Sequence, residues 1–262
     1  LKLFGLYGWG NRQARRIRVV EHRAALQRLP EAFAGFRILH LSDLHLDVGG
    51  GIAEAIRDTV APLEYDLCVI TGDFRSEIRG PYDAMLEEVA ALKAVLRGPV
   101  LAVLGNHDCL ELAPPLEAMG VRLLMNEHQV MARDGARLYI AGIDDPHFYE
   151  TNNLERALDG VPETACTVLL SHTAEPYRQA LAAGIALMLC GHTHAGQICL
   201  PGGIALFNNV NHPRAMMKGA WRRGSLLGYT SPGAGSCLVP IRFFAPPEAT
   251  LHILEPAPSA LQ

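Results

Sequence analysis

The chain has 262 residues, of which 49% are hydrophobic and 19% charged, and this composition excludes a disordered chain and predicts about one globular domain. A formal net charge of -4 and a pI near 6.3 exclude a global electrostatic attraction to nucleic acid or to an anionic membrane. No stretch approaches the roughly 18 apolar residues that span a bilayer. Because the chain begins at Leu1 rather than Met, its start says nothing about an upstream anchor or signal.

The first half of the chain alternates short apolar runs with segments of helical periodicity. The N-terminal segment 1–35 is basic and is predicted to pack on, or lead into, a single domain over 36–262. The apolar runs predict strands at 36–45, 66–73 and 99–108, and the intervening periodic segments predict helices at 51–64 and 82–97.

The second half of the chain is richer in strands. Asp134-Gly135 separates two alternating runs within 121–145, which is a hairpin signal. Further strands are predicted at 166–173, 185–194, 225–235 and 249–255. The order of elements therefore predicts an α/β fold, a mixed two-sheet sandwich with outer helices.

Five of these apolar runs end in polar residues of the kinds that bind metal ions. The residues at the five ends are Asp43, His45, Asp73, Asn106, His107, Asp108, His172, His192 and His194. In open α/β sheets ligands bind at the carboxyl ends of the strands, so we expect these side chains to converge in one cleft. Mixed His and Asp donors suit Mn, Fe, Co or Zn. Seven of these residues are potential ligands, more than one ion needs: Asp43, His45, Asp73, Asn106, His172, His192 and His194.

The motifs "DLH", "GD", "GNHD", "SH" and "GHTH", in this order, resemble those of the calcineurin-like metallophosphoesterase family from about Ile38 to Glu255. The resemblance implies a four-layer α/β/β/α sandwich and two divalent metal ions. It implies Asp43, His45 and His194 as ligands of one ion, Asp73 as the bridge, and Asn106, His172 and His192 as ligands of the other. It also implies that His107 is an acid or phosphate-binding residue oriented by Asp108.

Within the family, "GHTHAGQICLP" and "PIRFFAPPEATLHIL" look closest to a bacterial branch of single-domain phosphodiesterases, one type of which hydrolyses the pyrophosphate of UDP-2,3-diacylglucosamine. That branch usually has Gly where this chain has Ala195, and the added methyl would narrow the turn beside His194. The resemblance implies a phosphoester or pyrophosphate substrate, with a lipid-linked substrate as one alternative. A nuclease and a non-catalytic scaffold on the same fold are weaker alternatives, and no nucleic acid partner is expected.

Two basic regions offer contacts beyond the metal ligands. Arg75 follows Asp73 by two residues and could reach a substrate phosphate, although a loop arginine in solvent explains it equally well. The segment 212–224 mixes Met and Trp with Arg and Lys, and together with the basic N-terminal segment it could form a rim against a membrane surface. An ordinary loop folded over the sandwich is the favoured interpretation.

The remaining cysteines and histidines receive no role in the predicted site. The six cysteines, Cys68, Cys109, Cys166, Cys190, Cys199 and Cys237, form no Cys-x-x-Cys pair, which favours a reducing compartment and a cytoplasmic location, with the periphery of the inner membrane as an alternative. The histidines outside the motifs, His22, His40, His128, His147, His212 and His252, are expected to be ordinary core or surface residues.

Overall fold

The computed structural model describes residues 5–205 and 210–258, and two six-stranded mixed sheets form its centre. The first sheet has the order β1 (Arg18–Leu26), β14 (Glu248–Pro256), β2 (Arg37–Leu41), β3 (Leu67–Thr71), β4 (Val100–Val103), β5 (Val121–Leu123). The second has the order β12 (Gly219–Arg223), β13 (Leu226–Thr230), β9 (Leu187–Cys190), β8 (Thr167–Leu170), β7 (Ala136–Gly142), β6 (Glu127–Arg133). A short hairpin, β10 (Cys199–Leu200) and β11 (Ile204–Ala205), stands apart from both sheets.

The helices lie outside the sheets. Near the first sheet are α2 (Ile52–Val60), α3 (Asp83–Val95) and α4 (Ala113–Ala118), and near the second are α5 (Leu154–Ala157) and α6 (Tyr177–Ala182). Helix α1 (Leu6–Ala14) precedes β1. Among the described residues, no helix is long and apolar enough to cross a bilayer.

Side chains alternate between the two faces of each strand, and this alternation produces three apolar layers. In β2, Ile38 belongs to the cluster between the two sheets, whereas its neighbour Leu39 belongs to the cluster beneath the helices of the first sheet. Likewise in β8, Val168 faces the other sheet and Leu169 packs with α5 and α6. Successive strand residues point to opposite faces, so strands buried on both faces must be apolar throughout. The result is the four-layer α/β/β/α sandwich.

Most predicted elements are present, with shorter bounds. The helix predicted over 51–64 ends at Val60, just before Pro62, and the strands predicted into the motifs stop before the polar residues. Asp134 and Gly135 both have positive φ, as a tight hairpin turn requires. Within the N-terminal segment 1–35, whose first four residues lie outside the described ranges, β1 pairs with β14 in register from Arg18 to Leu26.

Topology places one edge of each sheet at the same cleft. Strands β2, β3 and β4 are parallel to one another, as are β8, β9 and β13, so the carboxyl ends of each set share an edge. The two edges meet where Nδ1 of His172, just after β8, donates to the carbonyl oxygen of Thr71 at the end of β3, at 2.8 Å. The polar residues that follow these strands are therefore neighbours.

Candidate metal centre

Seven side chains predicted as metal ligands meet at this edge in two groups. The first group is Asp43, His45 and His194, and the second is Asp73, His172 and His192. In each group the donor atoms lie within 4.8 Å of one another. Asn106 joins the second group, because its Oδ1 lies 2.9 Å from Nε2 of His172. These groupings are the ones that the family resemblance implies, with Asp73 expected as the bridge, and metal binding by these residues stays a prediction.

The first group is buried and tightly spaced. Nε2 of His194 lies 3.1 Å from Nε2 of His45 and 3.3 Å from Oδ1 of Asp43. In the second group, Nδ1 of His192 lies 3.2 Å from Nε2 of His172. Each group presents at least two imidazoles and one carboxylate at the spacing of a shared cation, and each fits a divalent transition ion.

Asp73 lies between the two groups. Its Oδ2 is 3.7 Å from Nε2 of His45, in the first group, and 3.4 Å from Nε2 of His172, in the second. Its Oδ1 accepts a hydrogen bond from the backbone N–H of His107 at 2.9 Å, which holds the carboxylate in place. Asp73 is thus a carboxylate whose side chain is in reach of the imidazoles of both groups.

Hydrogen bonds at the far side of two rings determine which nitrogen faces the cleft. Nδ1 of His45 donates to the carbonyl oxygen of Arg75 at 2.7 Å, and Nδ1 of His172 donates to that of Thr71. In the neutral form of each ring, Nε2 then carries the lone pair and faces the cleft, as binding to a metal ion requires. Donor chemistry and orientation both fit a metal ion.

The electrostatics of the site also favour a cation. Burial by itself would lower the pKa of His172, but Asp73 and Asp43 outweigh it and raise the pKa to about 10, so the site holds a proton when it holds no metal. Burial raises the pKa of Asp43 to about 6. For Asp73 the effect of burial is overcome by the nearby imidazoles, His172 above all, which lower its pKa.

The backbone at the site is strained and crowded. Positive φ occurs at five of the seven ligands, Asp43, His45, Asp73, His192 and His194. This left-handed conformation is rare in residues with a side chain and is concentrated at functional sites. A methyl group on Gly191 would collide with Ser42 Oγ and with Oδ2 of Asp43, and one on Gly105 would collide with Oδ1 of Asp73. Glycine at these two positions lets the chain approach the ligand carboxylates closely.

Ala195 also has positive φ, 51°, in the turn after His194. Its methyl is buried and packs with Cys199 and Ala245. The strain of a left-handed alanine is about 1 kcal/mol, and burying one methyl returns a similar amount. The turn therefore accommodates alanine without displacing the ligand beside it.

The expectation that Asp108 orients His107 is wrong. Nδ1 of His107 donates to the carbonyl oxygen of Ser76 at 2.6 Å. The carboxylate of Asp108 instead accepts from the backbone N–H groups of Gly105, Asp73 and Phe74 at 2.8 to 2.9 Å. Consecutive residues after β4 point in different directions, so Asp108 ties the loop after β3 to the loop after β4.

Arg75 is not the solvent-exposed loop arginine that was one of its two expected positions. The residue is buried, with Nη2 donating to the carbonyl oxygen of Gly80 at 3.3 Å and the guanidinium 5.9 Å from the ring centroid of Tyr82. Its carbonyl oxygen, not its side chain, contacts the ligand His45. A substrate contact of the Arg75 side chain stays a prediction.

The segment 212–224 is folded over the sandwich, as the favoured interpretation expected. Met216, Met217 and Trp221 are buried, and the indole N–H of Trp221 donates to Oγ1 of Thr230 at 2.9 Å. The basic side chains Arg214, Lys218 and Arg222 are exposed. Because the apolar side chains point inward, this segment presents charge rather than an amphipathic face.

Three residues near the site were missed by the sequence motifs. The guanidinium of Arg242 is buried and reaches Nδ1 of His194 at 3.1 Å. The ring of His147 lies 4.4 Å from that of His192, and Sγ of Cys237 lies 3.7 Å from Nε2 of His107. Only Arg242 had a usable signal, since it falls within "PIRFF", an arginine flanked by apolar residues.

Comparisons with known proteins agree with this geometry. The family model described as calcineurin-like phosphoesterase matches residues 36–196. A transmembrane protein with metallophosphoesterase domain from Danio rerio is 31% identical over 97% of this chain and 61% of its own length. The uncharacterized metallophosphoesterase YkuE of Bacillus subtilis is 27% identical over 91% of this chain and 86% of its own. Phosphodiesterase YaeI of Escherichia coli is 26% identical over 89% and 86%.

Among solved structures, the Thermus thermophilus sulfate thiohydrolase SoxB in complex with glycerol superimposes with a TM-score of 0.52. The identity is 15%, and the match covers 87% of this chain and 57% of that one. This likeness shows a shared fold. The chain spans 61% of the zebrafish relative and 56% of a bovine protein of the same description, so it corresponds to part of those longer proteins.

Proposed function

The chain belongs to the calcineurin-like phosphoesterase family, and we propose that it hydrolyses a phosphodiester or pyrophosphate bond with the help of two divalent metal ions. The observation that carries the proposal is the position of Asp73, whose Oδ2 is in reach of both groups of donors. A single carboxylate shared by two sets of imidazoles is the arrangement that a pair of ions requires.

The chain supplies ligands for Mn, Fe, Co or Zn, all of which accept mixed imidazole and oxygen donors. Asp43, His45 and His194 would hold one ion, Asn106, His172 and His192 the other, and Asp73 both. When bound, such a pair supplies Lewis acidity that activates water and neutralises phosphate charge. The protein holds the rings in the required orientation through the carbonyl oxygens of Arg75 and Thr71.

His107 is proposed as the acid or phosphate-binding group. The carbonyl oxygen of Ser76 accepts from its Nδ1, so Nε2 is the ring nitrogen that can donate to a phosphoryl oxygen or to the leaving group when the ring carries a second proton. Its backbone N–H positions Asp73, and Asp108 binds the N–H of Asp73 from the other side. The proposed roles therefore differ: His107 acts on substrate, whereas Asp108 positions the ligand loops.

A lipid-linked substrate, of the kind represented by UDP-2,3-diacylglucosamine, is the finer proposal. Exposed apolar side chains on the loops next to site residues support it: Ile78, Leu110, Phe148, Tyr149 and Leu238, with 42% to 73% of each exposed. Ile78 follows Asp73, Leu110 follows Asp108, and Leu238 follows Cys237, each within five residues. Such side chains could cover the alkyl or acyl part of a substrate.

The weaker alternatives have less support. A nuclease would gain from a positive surface, and the net charge is -4. A non-catalytic scaffold has no need to bury several ionisable groups at one sheet edge, because each unpaired one costs free energy. Both would give the same fold with a different result in a metal-dependent assay.

The proposed function is tested by the turnover of bis-p-nitrophenyl phosphate. Protein stripped of metal should be inactive and should regain activity with Mn, Zn, Fe or Co. No turnover with any of the four ions would contradict the proposal.

The lipid-linked substrate is tested by comparing a nucleoside diphosphate ester with and without acyl chains. Leu110→Ser and Leu238→Ser should raise KM for the acylated compound only. Leu6→Ser, at an exposed leucine in α1, is the matched control and should leave both KM values unchanged. Equal KM values for the two compounds with wild-type protein would contradict the lipid-linked substrate while leaving the phosphoesterase proposal intact.

A further inference from the structure

A groove of about 470 Å³ lies beside the proposed metal centre and is lined by positively charged side chains. Its walls include the cations Arg18, Lys218 and Arg242 and the aromatic rings of Trp9 and Phe244. Among residues 5–205 and 210–258, no Asp or Glu and none of the proposed metal ligands lines it. The groove is therefore distinct from the proposed metal centre, which it adjoins through the contact of Arg242 with His194.

Topology places the groove at the same edge of the sandwich as the metal ligands. Arg18 begins β1, which is parallel to β14 and antiparallel to β2, so it lies at the edge where β2 ends. Lys218 precedes β12, which is antiparallel to β13, so it lies at the edge where β13 and β9 end. Each residue is two strands from a ligand-bearing strand, a lateral distance of roughly 10 Å.

The positive charge in the groove is not neutralised within the protein. Neither the Arg18 nor the Lys218 side chain has an ion pair or hydrogen bond among residues 5–205 and 210–258. Glu248, the register partner of Arg18, already accepts from Tyr229 and Thr250. Residues 1–4, 206–209 and 259–262 contain no Asp or Glu that could pair with them.

Arg242 adds a buried charge beneath the groove. Its partners are the carbonyl oxygens of Gly233, Gly235, His194 and Ala245 and the ring of His194, and none of them is a carboxylate. The guanidinium also interacts electrostatically with the Asp43 carboxylate, so Arg18 and Lys218 supply the charge of the groove that is available to a ligand. The groove is therefore lined by cations in a chain of net charge -4.

A smaller groove of about 260 Å³ links this region to the turn that follows His194. It shares Gly203 and Lys218 with the larger groove, adds Arg214, and reaches Ala195, the residue next to the ligand His194. No acidic residue lines it. The cationic lining is thus continuous from Arg18 to the turn that carries a metal ligand.

The aromatic wall suits the organic part of a ligand. The ring of Trp9 packs against Phe243 and Phe244, with centroids 5.0 and 5.6 Å apart, and it is half-buried. A flat ring held in this way offers a surface to an apolar or ring-shaped group attached to an anion. A patch made only of surface lysines would offer no such aromatic surface to the organic part of a ligand.

We propose that this groove is an anion-binding site, in which Arg18 and Lys218 bind a phosphate-type group and Trp9 packs against any organic substituent that the group carries. The anion could be a second phosphate of the substrate, held roughly 10 Å from the reacting one, or a free inorganic anion. Both sources share the same recognition chemistry. The site is defined by binding and does not depend on the proposed hydrolysis.

The binding is tested with sulfate and the metal-loaded protein, with chloride added to keep the ionic strength constant. Trp9 is the reporter, because the other tryptophan, Trp221, is buried and hydrogen-bonded away from the groove. Fluorescence should change saturably at millimolar sulfate. Arg18→Ala and Lys218→Ala should each weaken the affinity about tenfold.

The matched control is Arg137→Ala, which removes an exposed arginine of β7 and one positive charge. It should bind sulfate as tightly as wild-type protein. No saturable change in wild-type protein, or a wild-type affinity in the Arg18 and Lys218 variants, would overturn the proposal. Because no turnover is measured, failure here is distinct from failure of the phosphoesterase assay.

A kinetic comparison then identifies the source of the anion. Two diesters are used, one with a single charge and one with an additional terminal phosphate. If Lys218→Ala raises KM at least tenfold more for the second diester, the anion is part of the substrate. If Lys218→Ala changes the KM values of both diesters equally, and sulfate alters the rate of the wild-type protein, the bound species is a free inorganic anion. Sulfate binding lost in the variants supports the site in either case.

Discussion

Nη2 of Arg242 lies 3.1 Å from Nδ1 of His194, so a fully buried guanidinium contacts the ring of a proposed metal ligand. The same guanidinium bonds the carbonyl oxygens of Gly233 and Gly235, in the loop that follows β13. Through these bonds Arg242 fixes the position of the His194 ring relative to the loop of Gly233 and Gly235 and to its own C-terminal segment. The contact links the C-terminal "PIRFF" segment to the first group of donors.

Replacing Arg242 should weaken metal binding. Arg242→Lys keeps the charge but cannot reach all the carbonyl groups, so we expect the affinity for one ion to fall about 10- to 100-fold. Equilibrium dialysis followed by elemental analysis measures this. Arg75→Lys, at another buried arginine whose guanidinium touches no ligand, should keep both ions, and equal loss from the two variants would assign Arg242 a purely structural role.

His107→Ala should reduce turnover without removing metal. Loss of an acid group costs about 100-fold or more in rate, and His107 lies outside both groups of proposed ligands. Turnover of bis-p-nitrophenyl phosphate and metal content are measured on the same sample. His128→Gln, on the edge strand β6, serves as the control with both values unchanged. If metal and activity fall together, His107 is a ligand, as its position beside His45 and Cys237 would then allow.

Gly191→Ala should abolish binding at the first group of donors. The added methyl would overlap Oδ2 of Asp43, and the nearby backbone cannot move without displacing His192. Gly8→Ala, in α1, meets only the flexible end of Arg12 at 3.5 Å and is the matched control. Metal content should fall by at least one ion per chain in the first variant and not in the second. Retention of two ions in Gly191→Ala would contradict the close packing described here.

The free energy of unfolding should decrease in acid because of His40. This residue is fully buried between Thr71 and His252, and burial lowers its pKa to about 3 from a usual 6.5. Between pH 6.5 and 3 the unfolded chain binds a proton that the folded chain does not, so stability is lost as the pH falls through this window. The slope is up to about 1.4 kcal/mol per pH unit.

Urea unfolding of metal-free wild-type protein and of His40→Gln checks this dependence. Subtracting the difference at pH 8, where histidines are neutral in both states, removes the packing cost of the substitution. The variant should then show the shallower slope between pH 6.5 and 4. Parallel slopes would mean that His40 is protonated in the folded protein.

The convergence of the seven proposed ligands could be predicted from sequence, because each follows a strand that is buried on both faces. Such strands are uninterrupted apolar runs, and the first polar residue after them marks the sheet edge. Strand β1 lacks this signal, since it is an edge strand with exposed residues, and its partner β14 lies some 230 residues later in the chain.

Contacts within the site were harder to predict than its composition. Adjacency in sequence suggested that Asp108 binds His107, but the turn after β4 sends the carboxylate to Gly105 and Asp73 instead. The burial of Arg75 and Arg242 depends on carbonyl groups brought together by the fold. Arg242 alone has a local signal, the apolar residues that flank it in "PIRFF", and nothing comparable surrounds Arg75.

Whether Asp73 is shared by two metal ions is decided by the number of ions bound per chain, measured with and without the Asp73 carboxylate. Asp73→Asn keeps the shape of the side chain but removes the charge that both donor groups share, and Asp134→Asn in the β6–β7 turn is the matched control. We expect two ions in wild-type protein and in Asp134→Asn, and at most one in Asp73→Asn. A single ion in wild-type protein, or two ions retained by Asp73→Asn, would contradict this expectation.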